Sequence, residues 1–336
     1  MHGRLARVLL ASACVAGYLA MAGSAQASTG QRLLHRYQPV TQLDPLEQFA
    51  PSTIDAFARD STLEVNGAGG WATLDANPSP NGLPHRIAAG CTTLADCYRL
   101  NQQPCSPADG VAAIACYSDT EQAGGTTNAV YARIAYRPHR LILQYWYFYY
   151  DDVYSYDYPP DPLFWQAHEG DWEVVNVVLN RRTHRPLSVA YSQHCTGERR
   201  AWADVPRMGT HPVDHVAIGS HANLFAQGDH TIASACIPAQ ALAILAANGL
   251  PAPVDRSGNG PQYGPASIAG ATTQPVERIG RRITPWATFP GTWGEGQYFH
   301  APPPIGTVPF LTSPQSPAVT AMWKRPLQVI SAWPVT

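Results

Sequence analysis

Six consecutive residues, His168-Glu169-Gly170-Asp171-Trp172-Glu173, place an imidazole and three carboxyl groups at the start of an apolar run. Alternate side chains of a strand share a face, so Asp171 and Glu173 point the same way, with Val175 and Val177 continuing that face. Two carboxylates at the mouth of a strand, with a histidine on the turn before it, make half a coordination shell. Hard cations prefer oxygen ligands, and an imidazole tilts the preference towards transition metals, so Ca²⁺, Mg²⁺ or Mn²⁺ is expected ahead of Zn²⁺. Asp151, Asp152, Asp157 and Asp161, in a tyrosine-rich segment upstream, are candidates to complete the shell. The competing reading is a solvated strand end whose acidic residues protect a sheet edge.

Other polar clusters end the strands that follow. Tyr191-Ser192-Gln193-His194 closes one and Ser220-His221-Ala222-Asn223 another. His194 and His221 are the weak candidates for an acid, a base or a further ligand, set against an ordinary hydrogen-bonded histidine. Ser220 lies in Gly-Ser-His and not in a G-x-S-x-G elbow, so it reads as a strand-end hydroxyl and not a nucleophile. The tyrosines from 145 to 158 divide between core packing and contact with sugars or headgroups.

These residues need strands to hold them. Ala129–Tyr136, Arg140–Tyr150, Asp171–Leu179, Leu187–His194 and Val213–Gly219 are rich in aromatic or branched residues and separated by turn-forming segments. Asn180 to Arg185 suits a hairpin between antiparallel strands. No strand–helix–strand alternation appears, so the fold class is all-β, a β-sandwich with short peripheral helices. Residues 28–125 read as an irregular, disulfide-stapled N-terminal region. It carries a capping box at Ser52-Thr53-Ile54-Asp55, a second such signature at Thr93-Leu94-Ala95-Asp96, and a surface loop from Asn66 to Pro84. Residues 126–336 form the sandwich and a C-terminal wrapping segment, with a helix at Pro238–Asn248. The whole of 28–336 is expected to be one compact unit.

Composition sets the compartment. Met1–Ala27 has a basic start, an apolar stretch and a small-x-small end at Ala25-Gln26-Ala27, the pattern of a cleavable secretory signal. Cys14 leaves with it, and six of the seven cysteines remain. An even count in an exported chain predicts three bridges, with Cys91, Cys97, Cys105 and Cys116 paired locally and Cys195 left for Cys236. No later segment is apolar enough to cross a bilayer. Charged residues are only 14% and the formal net charge is −2, which gives nucleic acid no electrostatic footing as a partner.

Tyr145-Trp146-Tyr147-Phe148, the 168–173 motif, Ala190-Tyr191-Ser192-Gln193-His194 and Ile218-Gly219-Ser220-His221-Ala222-Asn223 follow an order that resembles bacterial exported members of the vacuolar protein sorting-associated protein 62-like family. Phe289-Pro290-Gly291-Thr292-Trp293-Gly294-Glu295 and Ser313 to Ala318 also fit. That resemblance implies a fold more than an activity. A more distant one, to necrosis-inducing cytolysin-like proteins, implies a β-sandwich with a divalent cation. Their motif falls on His168, Asp171 and Glu173, and their upstream aspartate on Asp151, with Asp152 or Asp161 less securely matched. Gly170 departs from it, since that family has a histidine there.

The sequence thus implies a secreted, extracellular protein with a divalent-cation site at His168, Asp171, Glu173 and Asp151 that binds a polar glycan or lipid headgroup. The alternatives are a secreted metal-dependent hydrolase using His194 or His221, and a structural sandwich without metal.

Overall fold

The computed structural model describes residues 28–86, 88, 91, 97–125, 127–156, 162–237 and 239–336. The secretory signal, the Thr93–Asp96 signature, Asp157, Tyr158 and Asp161 lie outside the described residues. The chain begins α1 (Thr29–Arg36), β1 (Val40–Leu43), α2 (Ile54–Arg59), β2 (Ser61–Gly67), β3 (Gly70–Asp75), β4 (Tyr98–Gln102) and α3 (Ala113–Ala123). Five strands follow: β5 (Val130–Tyr136), β6 (Arg140–Ser155), β7 (Trp165–Asn180), β8 (Pro186–Gln193) and β9 (Thr196–Ala201). Next come β10 (Arg207–Met208), β11 (His211–Val216), β12 (Asn223–Leu224), β13 (Gly228–Thr231), α4 (Ala239–Ala247), β14 (Val254–Ser257) and β15 (Gln262–Gly264). The last elements are β16 (Thr272–Thr273), β17 (Val276–Arg278), β18 (Thr292–Trp293), β19 (Gln297–Ala301), β20 (Gly306–Leu311), α5 (Ala321–Lys324) and α6 (Pro326–Ala332).

The largest sheet has the order β17-β5-β6-β7-β19-β20, with β8 also on β7 and β9 on β8. A second sheet, β10-β11-β1-β15-β16 with β12 on β11, faces it. Tyr145, Tyr147, Tyr149, Val175 and Val177 fill the space between them, against Leu33, Leu34, Leu43 and Val216. Trp146, Phe148, Tyr150 and Val174 face the other way, onto Phe57, Tyr117, Trp293 and Trp323. The sandwich therefore carries an extra layer made by the N-terminal region and the C-terminal wrap. Each ring fully removed from water contributes roughly 2 kcal/mol, so the alternation of β6 supplies a core on both sides of one strand.

β6 and β7 pair antiparallel from Arg140↔Asn180 to Ser155↔Trp165. Both are longer than the sequence suggests, because the polar residues at 151–152 and 166–171 stay in the ladder. His168 is thus inside a strand and not on a preceding turn. β8 pairs with β7 over Val175–Leu179 and β19 over Trp165–His168; Glu169, Asp171 and Glu173 lie between these stretches but are buried, so they do not form a solvated edge. The N-terminal region is also more regular than expected: β2, β3 and β4 form a four-stranded sheet with β18. Residues 66–75 make a hairpin there, turning at Gly67–Gly70, instead of an open loop. Thr53, not Ser52, precedes α2, and no side chain caps it.

The bridges are Cys91–Cys97, Cys105–Cys116 and Cys195–Cys236: the local group pairs within itself and Cys195 meets Cys236, as expected, and the structure supplies which local cysteines join. No helix among the described residues is long and apolar enough to cross a membrane.

Candidate metal centre

The alternation of β6 and β7 changes phase in the middle of both strands. On β6 the layer containing α3 receives Phe148 and Tyr150, then Val153; on β7 it receives Val174, then Ala167 and Trp165. Even-numbered residues face that layer on one side of the switch and odd-numbered ones on the other. Gly170 sits at the switch with φ 56, a left-handed backbone that glycine adopts without penalty. A Cβ there would lie 2.5 Å from the Trp293 carbonyl oxygen, so no side chain fits. The switch turns Asp152 and His168, paired in register, onto the same face as Asp171.

The result is a compact cluster. Asp152, His168 and Asp171 each offer one ligand atom, and these atoms lie within 4.8 Å of one another. Two donors on one small cation, each at about 2.0–2.5 Å, are separated by no more than about 5 Å, so the spacing fits an ion. His168 Nδ1 lies 2.9 Å from the Gly170 carbonyl, which fixes the tautomer that presents Nε2. Nε2 is 3.4 Å from Asp152 Oδ2. Asp152 Oδ1 is buried without a hydrogen bond, and Asp171 Oδ2 has only His221 Nδ1 near it, at 3.4 Å. Such an orphaned oxygen is costly unless a cation or water meets it. Burial opposes charge on His168, but Asp152 and its hydrogen bond outweigh it and push the imidazole up to about 9. Burial likewise opposes the Asp152 carboxylate, and His168 overrides it, holding Asp152 below the ordinary value. A proton on His168 thus supplies the positive charge that an ion would replace.

A second histidine braces the cluster. His221 is fully buried and stacks flat on Tyr149, with ring centroids 3.9 Å apart. Its Nδ1 is 3.4 Å from Asp171 Oδ2 and its Nε2 3.7 Å from Glu47 Oε1. Glu47 is itself anchored by the Gly219 and Phe49 amides, at 2.7 and 2.8 Å. Burial opposes charge on both partners, yet their attraction raises His221 well above and lowers Glu47 below its usual value. His221 therefore has no open face from which to act as an acid or base. It aims Asp171.

The other expected residues are placed differently. Glu173 shares the face of Asp171 but is hydrogen-bonded to Ser192 Oγ, beside the cluster and outside the three-residue group. Asp151 is fully buried opposite Glu169 in register, with neither oxygen hydrogen-bonded, and burial raises it well above the carboxylate range. His194 Nε2 meets both Asp255 oxygens, at 3.0 and 3.1 Å. Burial opposes its charge, and Asp255 lifts it to about 9. Ser220 Oγ donates to Asp255 Oδ1 at 2.6 Å. Serine and histidine thus meet the same carboxylate and not each other, which leaves the hydroxyl without a base.

The sequence reading missed Glu47, Asp255 and the stacking of Tyr149. Glu47 and Asp255 lie far along the chain from the residues they hold, and neither stands in a pattern that would single it out. Asp152 was within reach: a glycine inside a strand pattern signals a break in alternation, and that break brings Asp152 to the site.

No family model and no curated protein matches this chain. Solved structures show a faint likeness. One is necrosis and ethylene inducing protein 2 from the causal agent of cocoa's Witches' Broom disease, at 17% identity over 59% of this chain and 69% of that one, with a TM-score of 0.30. Another is NLPPya in complex with glucosamine, at 15% identity over 60% and 68%, with a TM-score of 0.31. A third, described as a toxin fold as basis for microbial attack and plant defense, has 13% identity over 76% of each chain and a TM-score of 0.34. At these scores the likeness carries no residue role or ligand across to this chain.

Proposed function

We propose that this chain is a cation-dependent binding protein of the extracellular space, which engages an oxygen-rich glycan or lipid headgroup through a divalent ion. The observation that carries this reading is the Asp152–His168–Asp171 cluster, with the unpartnered buried Asp152 Oδ1 and an imidazole oriented by a backbone carbonyl. Two carboxylates and one imidazole suit Mg²⁺ or Mn²⁺, and Ca²⁺ if waters complete the shell. When bound, the ion supplies open positions for ligand oxygens. Asp152 and Asp171 supply charge, His168 a neutral donor, and His221 with Glu47 keeps Asp171 in place. Glu173, bonded by Ser192, stands beside the ion, and burial raises its carboxyl well above the ordinary range. The three bridges agree with an oxidising compartment.

The test is metal content after dialysis of the mature chain against Mn²⁺, Mg²⁺ or Ca²⁺. A single tightly held equivalent is expected, and Asp152→Asn with Asp171→Asn should reduce it to background. Full occupancy in that double variant would refute the cation site. Retention on immobilised glycans or headgroup-bearing vesicles should disappear with chelator. Chelator-sensitive turnover of esters or phosphodiesters would instead identify a hydrolase.

A further inference from the structure

A cavity of about 550 Å³, counting its open mouth, is walled by Tyr154, Phe164, Trp165, Phe299 and Phe310, with Ala241 and Leu245 of α4 also lining it. Its enclosed part is small, about 60 Å³, and the rest opens to solvent. The Tyr154 hydroxyl is spent on the Val254 carbonyl at 3.1 Å, so this residue offers its ring. Gln166 and His194 add an amide and an imidazole to the wall.

The position of the cavity follows from the ladder. Tyr154 stands two residues beyond Asp152, and Gln166 two before His168, and each pair is matched across β6 and β7. Residues two apart on a strand share a face and lie about 6.8 Å apart. Tyr154 and Gln166 thus stand one such step from the ion cluster on its side of the sheet, while Trp165 belongs to the α3-facing layer. The Cys195–Cys236 bridge fixes the geometry: Cys195 follows His194, and Cys236 lines the cavity ahead of α4.

We infer that this cavity receives an aromatic ring belonging to the same ligand whose oxygens the ion holds, an aryl group joined through one or two atoms to a phosphoryl or polyhydroxyl head. The inference rests on the cation reading above and adds the apolar half of the ligand. Aromatic walls favour a flat ring, since ring pairs gain about 0.5–1.5 kcal/mol beyond the area they bury. One bridging oxygen is enough to span the step from ion to wall.

The probes are phenyl phosphate and methyl phosphate, titrated into the full mature chain with saturating Mn²⁺. Phenyl phosphate should bind about tenfold or more tightly than methyl phosphate. Ala241→Trp, which fills the cavity, should bring the two to within about twofold while Mn²⁺ uptake is unchanged. Phe310→Ala removes a half-buried wall and should cut the preference about threefold; it keeps the test decisive if the filled variant does not fold. Equal affinities in the unaltered chain, or a preference that survives both variants, overturn the inference. Equal affinities with normal Mn²⁺ uptake remove the ring site alone, whereas absence of Mn²⁺ uptake removes the cation reading and this inference together.

Discussion

The two faces of the β6–β7 pair both bury carboxyl groups, but only one of them pairs carboxyls with imidazoles. On the face towards β1 and β11, Asp152 meets His168, and Asp171 and Glu47 share His221, whereas Glu173 and Asp214 there have no bonded histidine and burial raises both well above the carboxylate range. On the face towards α3, Asp151, Glu169 and Glu121 are equally buried and no basic group is bonded to them. Glu169 accepts from the Glu295 and Gln102 amides and the Tyr117 hydroxyl, which only partly compensates. Burial raises Asp151 and Glu169 well above the carboxylate range and brings Glu121 to about 7. Burial is common to both faces, so the interleaved imidazoles decide which carboxyls remain charged. A carboxyl paired with an imidazole can exchange that proton for an ion. A buried carboxyl without one only packs.

The sharpest way to break this contrast is to neutralise one aspartate on each face. Asp171→Asn should weaken Mn²⁺ binding by about a hundredfold or more, whereas Asp151→Asn, replacing an acid that is already neutral, should leave it within about threefold. Equilibrium dialysis reads both, and equal losses would show that the faces do not differ in this way. The shared hinge comes next. Gly170→Ala forces a Cβ against the Trp293 carbonyl at a left-handed position and should cost about 3 kcal/mol in denaturant unfolding, with cation uptake falling in parallel.

The neutral face should reveal itself through pH. Glu121 titrates near 7 in the fold, above its ordinary value of 4.5, so the unfolded chain releases that proton first. Its contribution therefore favours the fold fully below pH 4.5 and is lost as pH rises towards 7, up to about 3 kcal/mol. Glu121→Gln should accordingly stabilise the chain at pH 8 and change little at pH 4.5, as measured by urea midpoints at the two values. The smallest effect belongs to the charged face. With His168 near 9, an ion entering at neutral pH must displace its proton. Apparent Mn²⁺ affinity should therefore rise by about tenfold per pH unit between 7 and 9 and flatten above, with one proton released, visible as a buffer-dependent heat in calorimetry.

Much of this was legible in the residues themselves. The aromatic and branched runs announce β5 to β8, because strand periodicity is local. The closeness of four cysteines indicated that they pair among themselves, but not which of the three pairings they take. The His168–Glu173 motif marked the site because its residues are neighbours in sequence. The lengths of β6 and β7 were not legible, since buried Asp and His inside a ladder look like a loop until their partners are known. The choice of Asp152 over Asp151 depends on a phase change that a strict alternation rule hides. Glu47 and Asp255 reach the site only through folding, and no local pattern foretells them.

One covalent link has a further consequence. The Cys195–Cys236 bridge spans a sequence separation of 41, so the segment bearing β11, Ser220, His221 and Asn223 forms a closed ring. A single proteolytic cut in its exposed stretch around Gln227–Asp229 opens that ring without releasing either fragment. Nicked chains would migrate as two pieces on a reducing gel and stay joined on a non-reducing one. That tether keeps His221 beside Asp171 after the backbone has been severed.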